Sequence, residues 1–303
     1  MTDHQIGFST EPPKKLPVIS DERPGGSTDD ARRTLDDLVS RALAYHSGPE
    51  LKALVEFTRR FPHLAPYNAM LLHVQNPDIG YALRASDWER KYGRRVKPTA
   101  RPYVILWTMG PVAFVFDLSD TKPIDPEHDL VPEIVTNPFP AKGQPPPGAM
   151  DRLRSACAMI GIDIDLRDLG TSLAGNVQRL TRGGVDFHIA LNSNHTEAQQ
   201  LGTLAHELAH VFCGHLGVTE RAFWIDRPDV AHAAREIEAE ATAYFVTARL
   251  NLDIASVSYL AGYVKPDQPL PSFSLDAVLK AAGKIEEMLA GRFRVKKKGK
   301  SPK

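Results

Sequence analysis

Apolar positions recur three and four residues apart over most of this chain, and alternate with polar ones only in short stretches. The helical spacing predicts a first helix over Asp29–Ala44, carrying Leu35, Leu38, Val39, Ala42 and Leu43, then helices over Glu50–Arg60 and Pro66–Val74. Ser86–Tyr92 reads as a short helix closed by Gly93. Tyr103–Trp107 and Val112–Asp117 read as two strands around Gly110-Pro111.

Beyond Asp125 the pattern breaks. Prolines stand at 126, 132, 138, 140, 145, 146 and 147, a composition that predicts a semi-extended spacer. Periodicity then resumes, with a helix over Met150–Ile160, a strand over Ile162–Leu166, and hairpin arms Asn176–Leu180 and Val185–Leu191 about Arg182-Gly-Gly. Further helices are expected after Thr196, around Arg235–Tyr244, near Ile254–Val264 and over Ser274–Leu289. The fold class implied is α+β in two domains: a mixed N-terminal one over 28–125 and a C-terminal one over 149–291, joined by the linker 126–148. Residues 1–27, poor in large apolar side chains, are expected to be disordered, and 292–303 form a basic tail.

With 303 residues, 42% of them hydrophobic, the chain can bury a sizeable core. Lys plus Arg (37) balance Asp plus Glu (37), so any affinity for a polyanion must come from a local patch. Two cysteines, Cys157 and Cys213, argue against a disulfide-stapled secreted domain. The longest apolar run, Tyr103–Phe116, is broken by Gly110-Pro111 and too short to span a bilayer, so a soluble cytoplasmic protein without membrane contact is expected.

The chemistry concentrates in His206-Glu207-Leu208-Ala209-His210. Residues four apart share a helix face, so both imidazoles can address one Zn²⁺ while Glu207 faces the open coordination position as general base. The motif sits on an amphipathic segment opened by a capping-box pattern, Thr196 with Gln199, and followed by the stop signals Gly214 and Gly217. A third ligand is sought in Arg235–Tyr244, where Glu236 and Glu240 lie on one face and Glu238 points elsewhere. Glu236 is assigned to the metal ahead of Glu240; Glu240 then accepts the second ring N–H of a zinc histidine. Tyr244, His232 and Arg235 are the candidates for supporting an oxyanion or substrate. His215 reads as a capping or surface residue, and Cys213 as a small buried one. Trp224 and Arg227 are expected to shape a cleft or to pack. Val185–Leu191, just before the metal helix, is the expected edge strand for aligning an extended substrate, with Phe187 and Ile189 as its test positions.

His206-Glu-Leu-Ala-His-Val-Phe-Cys-Gly-His215 together with Glu236-Ile-Glu-Ala-Glu240 resembles the ImmA/IrrE-type metallo-endopeptidases and the zincin half of ArdC-like antirestriction proteins. The resemblance spans about 150–290 and implies a minimal zincin-like domain with one Zn²⁺ on His206, His210 and Glu236, and Glu207 as the catalytic base. Phe61–Leu72, Gln75-Asn-Pro, Trp88–Pro98 and Phe116–Thr121 are similar to the N-terminal domain of ArdC-like proteins, which is associated with single-stranded DNA.

Arg84, Arg90, Lys91, Arg94, Arg95, Lys97 and Arg101 cluster there, with Trp88 and Tyr92 between them, and read either as a nucleic-acid patch, cations for phosphates and rings for bases, or as a core Trp88 with a solvated face of arginines. The function expected is a regulatory zinc endopeptidase acting on a protein, coupled to single-stranded DNA binding. The alternative is an antirestriction or DNA-binding accessory protein whose zinc is structural.

Overall fold

The computed structural model describes residues 48–107, 110–132, 135, 143–252 and 272–295. The expectations for 1–27, for helices over Asp29–Ala44 and Ile254–Val264, for part of the spacer and for the tail beyond 295 lie outside them.

The order is α1 (Gly48–Arg59), α2 (Pro66–Gln75), β1 (Ala82–Leu83), α3 (Ala85–Tyr92), β2 (Arg94–Val96), β3 (Tyr103–Trp107), β4 (Gly110–Asp117) and β5 (Thr121–Pro123). It continues with α4 (Ala149–Met159), β6 (Ile162–Arg167), β7 (Gly175–Arg182), β8 (Val185–Asn192), α5 (Glu197–Phe212), α6 (His232–Arg249) and α7 (Leu275–Leu289). The expected α+β mixture is present: an antiparallel sheet β1-β4-β3, a ribbon β2-β5, and a mixed sheet β6-β8-β7. Among the described residues no helix is long and apolar enough to cross a membrane.

α1 and α2 are apolar on two sides, and both sides are used. Leu51, Leu54, Val55, Met70 and Leu71 enter the core that also holds Phe187 and Ile189 of β8, Leu204 and Leu208 of α5, Phe245 of α6 and Val278 of α7. Their other faces, with Phe57, Ala69 and Leu72, pack on Ile105, Ala113 and Val115 of the first sheet. The edge of that sheet is closed by side chains from α2. Asn68 accepts from the Leu106 N–H (2.9 Å) and donates to its carbonyl (3.2 Å); Gln75 does the same at Val104, at 2.8 Å each way. Two carboxamides thus occupy backbone groups that an exposed edge would offer to another strand.

The second sheet corrects one expectation. β8 is its central strand, parallel to β6 and antiparallel to β7, and Phe187 and Ile189 are fully buried. It cannot receive a substrate strand. The edge beside the His206 helix is β7, and the turn that joins it to β8 needs Gly183 and Gly184 in left-handed conformation (φ 67° and 81°).

α5 begins as its sequence predicts: Thr196 N–H donates to Gln199 Oε1 (2.9 Å) and the Gln199 N–H donates back to Thr196 Oγ1. It ends where Gly214 turns the chain at φ 81°, so tightly that a Cβ there would lie 2.0 Å from the Ile225 carbonyl oxygen. This close approach returns the 219–231 connector across the end of α5.

At the far end of α6, buried Arg249 donates to the carbonyls of Thr58, Phe61 and Leu64 and to the Glu286 carboxylate. It thereby adds a charged donor to carbonyls at and just beyond the end of α1, where the helical ladder has run out and Thr58 and Phe61 accept only turn bonds from the backbone. Arg249→Met takes the charged donor from the partly buried Glu286 carboxylate and from the Leu64 carbonyl, while the Thr58 and Phe61 carbonyls keep their turn bonds from the Phe61 and Leu64 N–H groups. The expected loss of stability is about 1–3 kcal/mol, read as a lower midpoint in urea; a change under about 0.5 kcal/mol would refute this role.

Candidate metal centre

α5 and α6 cross so that His206, His210 and Glu236 converge. The His206 and His210 Nε2 atoms lie 3.2 Å apart, and each is 3.7 Å from an oxygen of Glu236. Three ligands about 2.0–2.1 Å from one tetrahedral ion stand roughly 3.3 Å apart, and these separations bracket that value. Burial holds the His206 ring at about 4 and the His210 ring at about 3. Both rings are therefore neutral near pH 7, the form that ligates a metal. All three side chains remain partly accessible. The donor set fits one divalent cation.

Glu207, one residue round the helix, is nearly buried. Burial, then the charge of Glu236, pushes its carboxyl up to about 7 against a hydrogen bond from the backbone of Val177 in β7. That value suits a group that must take and return a proton near neutrality. Glu240 sits on the opposite side of His206, with Oε1 3.7 Å from Nδ1. Its Oε2 is buried with no hydrogen-bond partner among the described residues, and burial raises its carboxyl to about 7.

The three oxyanion candidates separate. His232 is exposed at the mouth, 3.5 Å from Glu236 Oε1. Arg235 is engaged elsewhere, its guanidinium donating to the carbonyls of Val230 and Pro228. Tyr244 donates to Glu56 of α1 at 3.1 Å, so its hydroxyl is turned to the helix packed against α6 and away from that role.

His215 requires a correction. It is not on the surface but fully buried, with Nδ1 3.0 Å from His210 Nδ1 and Nε2 2.9 Å from Glu238 Oε2. Glu238 does point away from Glu236 and Glu240, into the interior, where it is also bound by Arg227 and the Ser274 N–H at 2.7 Å. Burial alone would raise its carboxyl, but the bonds from His215, Arg227 and Ser274 outweigh that and hold it at about 2. Arg227 thus packs inward rather than lining a cleft, and Trp224 is buried with its Nε1–H on the Gly217 carbonyl. The signal available in the sequence was Glu238 itself, a carboxylate among Ala234, Ile237, Ala241 and Phe245. Cys213, His215 and Glu238 are also close enough to share an ion. However, the Arg227 guanidinium occupies both Glu238 oxygens and burial pushes the Cys213 thiol up, so this cluster is a closed ion pair.

In the N-terminal half the predicted stacking platform is not available. Trp88 is fully buried, donating from Nε1 to the Phe116 carbonyl at 2.8 Å, and the half-buried Tyr92 packs on it. Arg94 is buried against Thr121 and Asp129. Arg84 and Arg90 both pair with Asp87. Exposed cations remain at Arg90, Lys91, Arg95, Lys97 and Arg101, of which Arg90 pairs with Asp87 and Arg95 with Glu89 at 3.4 Å, and the exposed indole is Trp107, with the Arg84 guanidinium 4.6 Å over its ring.

Residues 176–253 match the family model described as Peptidase_M78, IrrE N-terminal-like domain. The span runs from β7 past α6 and holds all four residues of the centre, so this segment is similar to a metallopeptidase domain. No curated protein matches the chain. Among solved structures it is similar to the metal-free antirestriction protein ArdC from plasmid R388, with 16% identity over 74% of this chain and 83% of that one, and a TM-score of 0.36. The Mn(II)-bound structure of ArdC gives 17% identity, the same coverage and a TM-score of 0.35. Both families named from the sequence return in these matches.

Zn²⁺ at about 100 times its dissociation constant should stabilise the protein by about 2.7 kcal/mol. That gain should disappear from the melting curve of His210→Ala and persist in Tyr244→Phe and Cys213→Ser. A shift that survives in His210→Ala, or is lost in Cys213→Ser, would move the cation to another place.

Proposed function

We propose that this chain is a zinc-dependent endopeptidase that cleaves a protein substrate, with His206, His210 and Glu236 holding one Zn²⁺. The observation that carries this reading is the placement of Glu207, whose carboxyl titrates near neutrality, one residue from the first of two neutral histidines that converge with Glu236. A divalent cation bound there supplies Lewis acidity to a water molecule and to the substrate carbonyl. Glu207 takes the proton of that water and delivers it to the departing amide nitrogen. Glu240 faces Nδ1 of His206 and orients that ring. His232, exposed at the mouth, is the oxyanion-supporting group that the geometry favours over Arg235 and Tyr244.

The substrate strand pairs with β7. That strand has β8 on one side only, and its Val177 backbone bonds to Glu207, so an extended peptide laid along its free edge runs past the base. The cytoplasm fits this chemistry, since Cys157 and Cys213 are both free and buried.

Glu207→Gln should retain one Zn²⁺ per chain and lose peptide cleavage by about 10²–10⁴-fold, measured on an unfolded or peptide-library substrate. Cleavage at the wild-type rate in this variant would exclude the mechanism; full metal binding with no cleavage in either protein would favour a structural zinc in a DNA-binding accessory protein.

Coupling to single-stranded DNA is the second part of the proposal, and its support is the exposed set Lys91, Arg95, Lys97 and Arg101. Binding by these groups is a phosphate contact and must weaken with salt. Replacing Lys91 and Arg101 by Glu should lower affinity for oligo-dT and flatten the salt dependence in a fluorescence-anisotropy titration; an affinity indifferent to both salt and charge would remove DNA from the account.

A further inference from the structure

We propose that His215 is a positioning residue that fixes His210 in its Nδ1–H tautomer, so that the Nε2 lone pair is the one turned toward the cation. This rests on the metal-centre reading above for its consequence, but its premise is hydrogen-bond accounting in the protein alone.

Glu238 is fully buried and receives four donors. Oε1 accepts from Arg227 and from the Ser274 N–H, and Oε2 accepts from Arg227 and from His215. Guanidinium and amide nitrogens only donate, and a carboxylate so occupied has no place for a proton of its own. His215 Nε2 must therefore carry the hydrogen that it shares with Oε2. In a neutral imidazole the other nitrogen is then a lone pair, and the partner of His215 Nδ1 is His210 Nδ1 at 3.0 Å. That contact is a hydrogen bond only if His210 donates. Its Nε2 is left bare, 3.2 Å from His206 Nε2 and 3.7 Å from Glu236.

The competing arrangement makes His215 an imidazolium and places the hydrogen of His210 on Nε2, in the middle of the cation site. It is disfavoured because Arg227 already balances Glu238, so a second cation on a side chain with no exposure would be an uncompensated buried charge. α6 therefore grips His210 from both of its nitrogens. Glu236 stands beside Nε2, and Glu238, two residues on, acts on Nδ1 through His215.

The test is a two-bond ¹H–¹⁵N correlation of the imidazoles in the metal-free, full-length protein. The expected result is His210 protonated at Nδ1 and His215 at Nε2. A wild-type spectrum with His210 protonated at Nε2, or with His215 doubly protonated, overturns the proposal without any variant having to fold. In a chelator competition His215→Phe, which removes the acceptor, should weaken Zn²⁺ binding about 10–100-fold, and His215→Asn, whose amide oxygen can accept from His210 Nδ1–H, should recover most of it. Unchanged affinity in a folded His215→Phe also overturns it. If wild type shows the expected tautomers and binds no Zn²⁺, the metal-centre reading fails while this assignment stands.

Discussion

A carboxylate with no access to solvent must be given donors on all sides or it will not stay ionised, and Glu238 sets that condition at the centre of this molecule. The donors come from three separate places: the turn after α5, the connector that precedes α6, and the first residue of the α7 cap. Each of those segments lies outside the regular helices. Their common attachment to one carboxylate places the end of α5 against α6, and it is the crossing of these two helices that brings His206, His210 and Glu236 together. Truncating Arg227 would leave a buried charge without its partner, the costly case for an ion pair in the interior.

Arg249 plays the corresponding part at the other end of α6. It ties the end of α1 and the chain after it to Glu286 of α7. α1 and α2 pack against α6 and α7 on one side and against the first sheet on the other, so the N-terminal residues are part of the wall behind the metal centre. Tyr244 illustrates the point. Its hydroxyl, expected from the sequence to face substrate, instead meets Glu56 of α1.

Much of the site was legible because its logic is local. The i, i+4 spacing of His206 and His210, the capping box at Thr196 and the shared face of Glu236 and Glu240 all follow from the helical repeat, and the helices form where the pattern requires. The boundaries of α3, α4 and α7 were legible for the same reason. Glu236 does meet His206 and His210 across two helices, but other inferences about which partner a side chain meets across the fold failed. Trp88 lies in a basic stretch, yet it is buried because α3 packs on Tyr81 and Leu83. β8 directly precedes α5, yet it is central because β6 pairs on its far side, and the edge position passes to β7.

By itself the sequence determined the motif, its helix and the identity of the donors, since these depend on spacing along one helix or on side-chain chemistry alone. Tertiary structure decided the tautomer of His210, the burial of His215 and Glu238, which strand lies at the sheet edge and the removal of Trp88 and Arg94 from the surface. Each of those depends on contacts between residues far apart in the chain, where periodicity carries no information and only the packed geometry says which donor meets which acceptor.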